Sequence, residues 1–206
     1  GEVWNDGTHF KQGDYQGYQV WTVPEDGTYT IEAGGAKGGR DLNYGMTNLW
    51  GAKISGQFTL TKGTEISMVV GVGGGQYYSP HGNEAGGGGG SFVVNKSAGS
   101  PLLIAGGGGG SASNTHGWSC GRSTSTGQGQ SGEYGGRYGC YYDPSQPTAG
   151  YGGNTNGGYH GGGGGGYYTG GQNGGGHCCT AYGGQGYNNG MVGGTGNCCY
   201  GSSGSG

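Results

Sequence analysis

Charge is scarce in this sequence. Among 206 residues there are eight Lys or Arg and eleven Asp or Glu, and from Pro144 onward there is no Asp, Glu, Lys or Arg at all. With a formal net charge of −3 and only three arginines, the basic footprint of a nucleic-acid binder is missing, and an arginine-glycine RNA-binding tract is excluded for want of arginine. Apolar side chains are also few: the hydrophobic types make up 29% of the chain, too little for a conventional core along its whole length. No apolar run approaches the roughly 20 residues that span a bilayer, and no charged segment followed by an apolar stretch opens the sequence, which argues against membrane insertion. The chain begins at Gly1 rather than methionine, as expected of a processed product or an excised piece. Proline occurs five times and the glycines follow no G-X-Y period, so collagen is excluded.

What the sequence has in abundance is glycine, at 63 positions, of which 13 lie in residues 1–70 and 50 in residues 71–206. The glycines gather in runs such as 86–90, 106–110 and 161–166. A glycine run buries no side chain, yet each residue carries a donor and an acceptor that must be paired if the segment is ordered. One outcome is a flexible linker. The other is a set of extended threefold helices of the polyproline II type, packed so closely that only glycine fits and pairing laterally through their backbones. Tyrosines, asparagines and cysteines punctuate the runs, where a linker would use serine, and this favours the packed helices. Three regions follow: residues 1–110 as a β-sandwich with inserted glycine runs, 111–200 as a Tyr/Gly/Cys-rich polyglycine-helix region, and 201–206 as a flexible tail.

Regular structure is signalled mainly between residues 18 and 105, and its period is two rather than 3.6. Trp21 and Val23 end one short run; Pro24-Glu25-Asp26-Gly27 is a turn; then Tyr29, Ile31 and Ala33 alternate with Thr28, Thr30 and Glu32, which predicts a hairpin with one buried face. A second hairpin is predicted from Ile54, Phe58 and Leu60, a turn at Lys62-Gly63, and an apolar face of Ile66, Met68, Val70 and Val72. The third pair, Phe92-Val93-Val94 and Leu102-Leu103-Ile104, is continuously apolar and predicts strands covered on both faces. The expected class is mostly β with essentially no α-helix: a jelly-roll-like β-sandwich carrying a packed bundle of polyglycine helices.

Six cysteines, Cys120, Cys140, Cys178, Cys179, Cys198 and Cys199, all fall in the region with the least apolar surface to bury, where covalent staples contribute most. A spacing of 20 recurs between Cys120 and Cys140, Cys178 and Cys198, and Cys179 and Cys199. The expectation is a Cys120 to Cys140 bridge, with the doublet Cys178 and Cys179 joined to Cys198 and Cys199 in either order. A metal site built from the doublets and His177 is the rival, but structural zinc sites favour C-x2-4-C spacing and adjacent cysteines fit one tetrahedron poorly. Oxidised pairs place the protein outside the reducing cytosol. Asn95-Lys96-Ser97 is the single N-x-[ST] sequon and falls between two predicted strands, as a glycosylation site on a hairpin loop or as an ordinary polar turn.

No catalytic constellation and no cofactor motif emerges. His9, His81, His116, His160 and His177 are scattered, without a patterned nucleophile, and read as surface histidines. The feature that invites function is tyrosine: 11 of 17 lie after residue 110, among them Tyr141, Tyr142, Tyr167, Tyr168, Tyr182 and Tyr187, set in Gly, Ser and Asn. Rigid amphipathic rings on a permissive backbone suit an interface, while the same rings would equally separate glycine helices within one molecule.

The succession Gly17-Tyr18-Gln19-Val20-Trp21-Thr22-Val23-Pro24, Gly27-Thr28-Tyr29-Thr30-Ile31 and Gly34-Gly35-Ala36-Lys37-Gly38-Gly39 resembles the glycine-rich extracellular region of the anaplastic lymphoma kinase and leukocyte tyrosine kinase receptors. Gly56-Gln57-Phe58-Thr59-Leu60, Met68-Val69-Val70-Gly71, the run from Ala85 to Gly90 before Phe92, and Pro101-Leu102-Leu103-Ile104-Ala105 before Gly106 to Gly110 continue the resemblance, which covers roughly residues 17–115. Glycine-rich bacterial and phage tail-fibre adhesins are similar at lower specificity. The family implies a jelly-roll-like sandwich with a glycine-helix bundle, outside the cell, contacting protein ligands; the C-terminal third has no counterpart in it. Two functions are expected. One is a secreted, non-catalytic structural protein that assembles with itself into a fibre or coat through Tyr/Gly surfaces. The other is a recognition module that binds an extracellular protein or glycan, as a receptor ectodomain or an adhesin does.

Overall fold

The computed structural model describes residues 9–14, 17–39, 50–75, 85–110, 122–123, 129–130, 165–168, 170–171, 173–175, 179–181, 183–184, 187 and 196–198. Among these are seven longer strands, β1 Phe10–Gln12, β2 Tyr18–Thr22, β3 Gly27–Gly34, β4 Lys53–Leu60, β5 Glu65–Val69, β6 Ser91–Asn95 and β7 Ser100–Ala105. Five short ones follow, β8 Arg122–Ser123, β9 Gly129–Gln130, β10 Gly174–Gly175, β11 Cys179–Ala181 and β12 Gly196–Cys198. The described residues contain no α-helix, in line with the mostly-β expectation, and no helix among them is long and apolar enough to cross a membrane.

Strands β1-β2-β5-β6-β7 form one antiparallel sheet and β3-β4 a second. Trp21, Val23, Ile66, Val93, Leu103 and Ala105 from the first sheet and its flank pack with Ala33, Ile54 and Leu60 of the second into one apolar cluster. Tyr18, Val69, Phe92, Val94 and Ile104 form another cluster with Tyr167, so the five-stranded sheet carries apolar residues on both faces. Period-two alternation survives where only one face is covered: β3 alternates half-buried and exposed residues along most of its length.

Only the third predicted hairpin, β6–β7, is a hairpin. The expected β2–β3 and β4–β5 hairpins do not form. Trp21 of β2 is opposite Ile66 of β5, and Tyr29 of β3 is opposite Phe58 of β4. Both four-residue connections do reverse the chain, but each carries it across the core into the other sheet. They lie side by side, held by Val23 N–H to Thr64 O (2.9 Å), Gly63 N–H to Val23 O (2.8 Å) and Lys62 N–H to Asp26 Oδ1 (2.7 Å). The reason is burial: by crossing, β2 and β5 lay an apolar face against that of β3 and β4, and each strand still finds an edge partner within its own sheet. The predicted face Ile66, Met68, Val70 and Val72 also breaks. β5 ends at Val69, whose side chain is buried, and Val70 and Val72 are 69% and 55% exposed.

The turns at 23–27, 61–64 and 96–99 lie at one end of the two sheets. At the other end every strand from β3 to β7 runs into, or arises from, a segment that contains glycine: 35–39, 50–52, 70–75, 85–90 and 106–110. These segments are bonded to one another. Ala36 N–H donates to Gly89 O (3.0 Å) and Gly39 N–H to Gly86 O (2.8 Å); Gly89 N–H donates to Val72 O (3.0 Å) and Gly86 N–H to Gly75 O (3.1 Å). In both sets the second bond lies three residues from the first on each chain and the two chains run in opposite senses, whereas a β-ladder repeats every two residues. Segment 85–90 is central: it also meets 106–110 through Gly88 N–H to Gly108 O (2.8 Å) and residue 165 through Gly165 N–H to Gly88 O (2.9 Å). All of 85–90 and 106–110 is buried.

Glycine is needed here for space. A β-carbon at Gly88 would lie 2.5 Å from the carbonyl oxygens of Ala36 and Lys37, and one at Gly107 would collide with the Gly88 carbonyl. Ser91 joins the sheets to the glycine segments. Its buried hydroxyl donates to Gly34 O (2.7 Å) and accepts from Gly71 N–H (3.0 Å), tying together the ends of β3, β5 and β6 where three glycine segments leave the sheets.

Candidate interaction surface

The tyrosines of the C-terminal region face two ways. Tyr167 follows the buried glycines 165–166, whose backbone is held by Gly107 N–H to Gly165 O (3.1 Å), and this delivers its ring onto the outer face of the five-stranded sheet. There it meets Phe92 edge-on at 5.7 Å and stacks on Tyr187 at 4.9 Å. Tyr187 also contacts Tyr18 at 5.3 Å and Phe92 at 5.8 Å, and its hydroxyl donates to Ser67 Oγ at 3.2 Å, which explains how β5 accommodates a buried serine. Tyr167 is 8% exposed and Tyr187 half-buried, so both act within the molecule. Tyr168 stands edge-on to Tyr167 at 5.0 Å but is 47% exposed, and among the described residues it is the tyrosine of the candidate set that presents a ring outward. Tyr141, Tyr142 and Tyr182 lie outside the described residues.

Burial pushes the Tyr167 phenol above the ordinary tyrosine range, with the neighbouring Tyr187 and Tyr168 adding to the effect. A group whose acid form is favoured on folding lends stability that is fully present below the unfolded pKa, about 10, and lost as pH rises through the folded value. Phenolate absorbance is therefore expected to show a late-titrating component that is lost in Tyr167→Phe. The wild-type chain is expected to lose stability above pH 10 more steeply than that variant; a variant that keeps the late component and loses an ordinary one would refute the assignment.

Three more apolar side chains are exposed: Trp50, at 53%, and Val70 and Val72, which the two-residue period places on a strand face. Lys37 Nζ sits 3.3 Å over the Trp50 ring, a cation–π contact between segments 35–39 and 50–52. Nothing in the local sequence separates Trp50 from a core residue, and the two valines match a strand face until the chain leaves the ladder. At the turn end of the two sheets, Lys11 bonds Glu65 at 2.6 Å, and Lys96 reaches Asp14 and Glu65 at 3.3 and 3.6 Å. The Glu65 carboxyl is held below its usual range, chiefly by the Lys11 hydrogen bond.

Asn95 ends β6, and its Oδ1 accepts from Ala98 N–H at 3.0 Å, so the sequon lies in the β6–β7 hairpin turn with Lys96 and Ser97 exposed. Of the cysteines, Cys179 and Cys198 stand opposite one another in the β11–β12 ladder; Cys120, Cys140, Cys178 and Cys199 lie outside the described residues. His9 precedes β1, and His81, His116, His160 and His177 are also outside them. No protein-family model matches this chain.

Proposed function

We propose that this chain is a secreted, non-catalytic structural subunit that assembles with copies of itself through its Tyr/Gly-rich surfaces. Its glycine segments form a bundle of polyproline II helices set on a jelly-roll-like sandwich. The observation that carries this reading is the three-residue register among segments 35–39, 70–75 and 85–90, since three residues per turn is the repeat of that helix. Such a bundle is rigid because it is held by main-chain hydrogen bonds, and it leaves its side chains for the outside. Exposed Trp50, Val70, Val72 and Tyr168 give that outside apolar contacts, and scarce charge gives little repulsion between copies. The nested pairing of β2 with β5 and of β3 with β4 supports the jelly-roll part of this reading. Glycosylation at Asn95 and bridges among the six cysteines belong to the same extracellular reading.

Sedimentation velocity over a range of concentrations, together with negative-stain microscopy of the purified chain, tests it. Filaments or large oligomers are expected. A monodisperse monomer at high concentration would overturn self-assembly and leave the second reading, a module that binds an extracellular protein or glycan, which the resemblance of residues 17–115 favours.

A further inference from the structure

The backbone ladder of the C-terminal region selects between the two orders in which the cysteine doublets can pair. Strands β11 and β12 are antiparallel with Cys179 opposite Cys198, Thr180 opposite Asn197 and Ala181 opposite Gly196. Directly opposed residues of such a ladder have Cα atoms about 4.5 or 5.5 Å apart. Both values lie within the span of about 4.4–6.8 Å that a disulfide bridges. Neighbouring residues of a strand project from opposite faces, so pairing either residue one place out of register would require the ladder to break. We infer that Cys179 and Cys198 form a cross-strand disulfide.

The bridge has a purpose in the fold. Strands β10, β11 and β12 have two or three residues each, too short to be stable as a sheet unaided. Between β11 and β12 lie Gly184, which accepts from Gly171 N–H at 2.7 Å and packs against the Gly88 carbonyl, and Tyr187, whose ring covers Phe92 and Tyr18. Joining Cys179 to Cys198 ties the two ends of this loop together and keeps Tyr187 on the outer face of the five-stranded sheet. The chemistry is thiol–disulfide exchange with a small-molecule disulfide as oxidant. One cysteine thiolate attacks it, forming a mixed disulfide and releasing one thiolate; the second cysteine thiolate attacks the mixed disulfide, forming the protein bond and releasing the other. Two electrons and two protons leave the protein thiols, and the oxidant becomes two thiols. The inference rests on the extracellular reading for its oxidant alone.

The test uses the full chain purified from an oxidising compartment. Free thiols are first blocked at acid pH; the bridges are then opened partially with a phosphine, the newly released thiols are labelled, and fragment-ion sequencing locates the labels. Cys179 and Cys198 are expected to appear together in singly opened species, and in Cys179→Ser the thiol blocked before reduction is expected to be Cys198. Co-labelling of Cys179 with Cys199, or blocking of all six thiols before reduction, would overturn the inference. Sedimentation is read separately, so a monomeric chain with this bridge, or a filament without it, tells the two proposals apart.

Discussion

Gly107→Ala is expected to destabilise the chain by about 3 kcal/mol or more, while Gly73→Ala changes its stability by no more than about 0.5 kcal/mol. A single methyl group is added in both. At Gly107 it would drive into the carbonyl of Gly88 and lie 2.9 Å from the Gly89 carbonyl carbon; all three nearest atoms are main chain, so no rotamer change can relieve the collision. The segments must separate, and the Gly107 N–H bond to Gly165 O and the neighbouring Gly88 N–H bond to Gly108 O are strained with them. At Gly73 the nearest atom is the Lys37 carbonyl oxygen at 3.7 Å, an ordinary contact, and the residue is exposed. Urea unfolding of the two variants beside wild type provides the measurement. Equal tolerance at both positions would mean that 106–110 and 85–90 are not packed as described. Gly63→Ala is a useful control, because Gly63 has open space around it but φ of +83°, so its penalty is conformational.

The second large effect is expected at Phe92→Ala, a loss of about 3–5 kcal/mol. Against the 5–15 kcal/mol typical of folded proteins this is a severe change. Phe92 is 0% exposed, and both Tyr167 and Tyr187 stand on its ring. Its removal opens a cavity and deprives the C-terminal tyrosines of their seat on the sheet. Two readouts should therefore move together: the urea midpoint falls, and the late titration of Tyr167 shifts back toward that of an ordinary tyrosine, since burial is its main cause. A lower midpoint with Tyr167 still titrating late would show that the tyrosines are held by the glycine segments rather than by this face.

How far the sequence could be read differs from one element to the next. The β6–β7 hairpin was legible because its strands are adjacent in the chain and their unbroken apolar character announces cover on both faces. The turns at 24–27 and 61–64 were legible as reversals from their proline and glycine. Where those reversals lead was not: turn chemistry acts over four residues, whereas the choice between pairing β2 with β3 or with β5 depends on which arrangement buries Trp21, Ile54 and Leu103 together. Val70 and Val72 fit the period of β5, which places them on its face, yet the chain changes from a two-residue to a three-residue register just there, with no local marker except the glycines that follow.

The tyrosines show the same division within the candidate surface. Composition identified Tyr167, Tyr168 and Tyr187 as rings to be buried somewhere, either within the chain or against another molecule. The inward seats of Tyr167 and Tyr187 and the outward ring of Tyr168 depend on Gly165 lying against Gly88 and Gly107 and on Ser67 being free to accept a hydroxyl, contacts that span 58 to 120 residues of chain.

By itself the amino-acid sequence determined the mostly-β character, the positions of the chain reversals and the need for glycine wherever backbones crowd, because these follow from side-chain volume, alternation and local dihedral preference. Only the tertiary structure decided which strands share a sheet, which glycine segments lie side by side, and which cysteine stands opposite Cys179. Backbone hydrogen bonds are chemically identical along the chain, and a glycine bears no side chain to specify its partner, so only the packing of the whole molecule can choose among them.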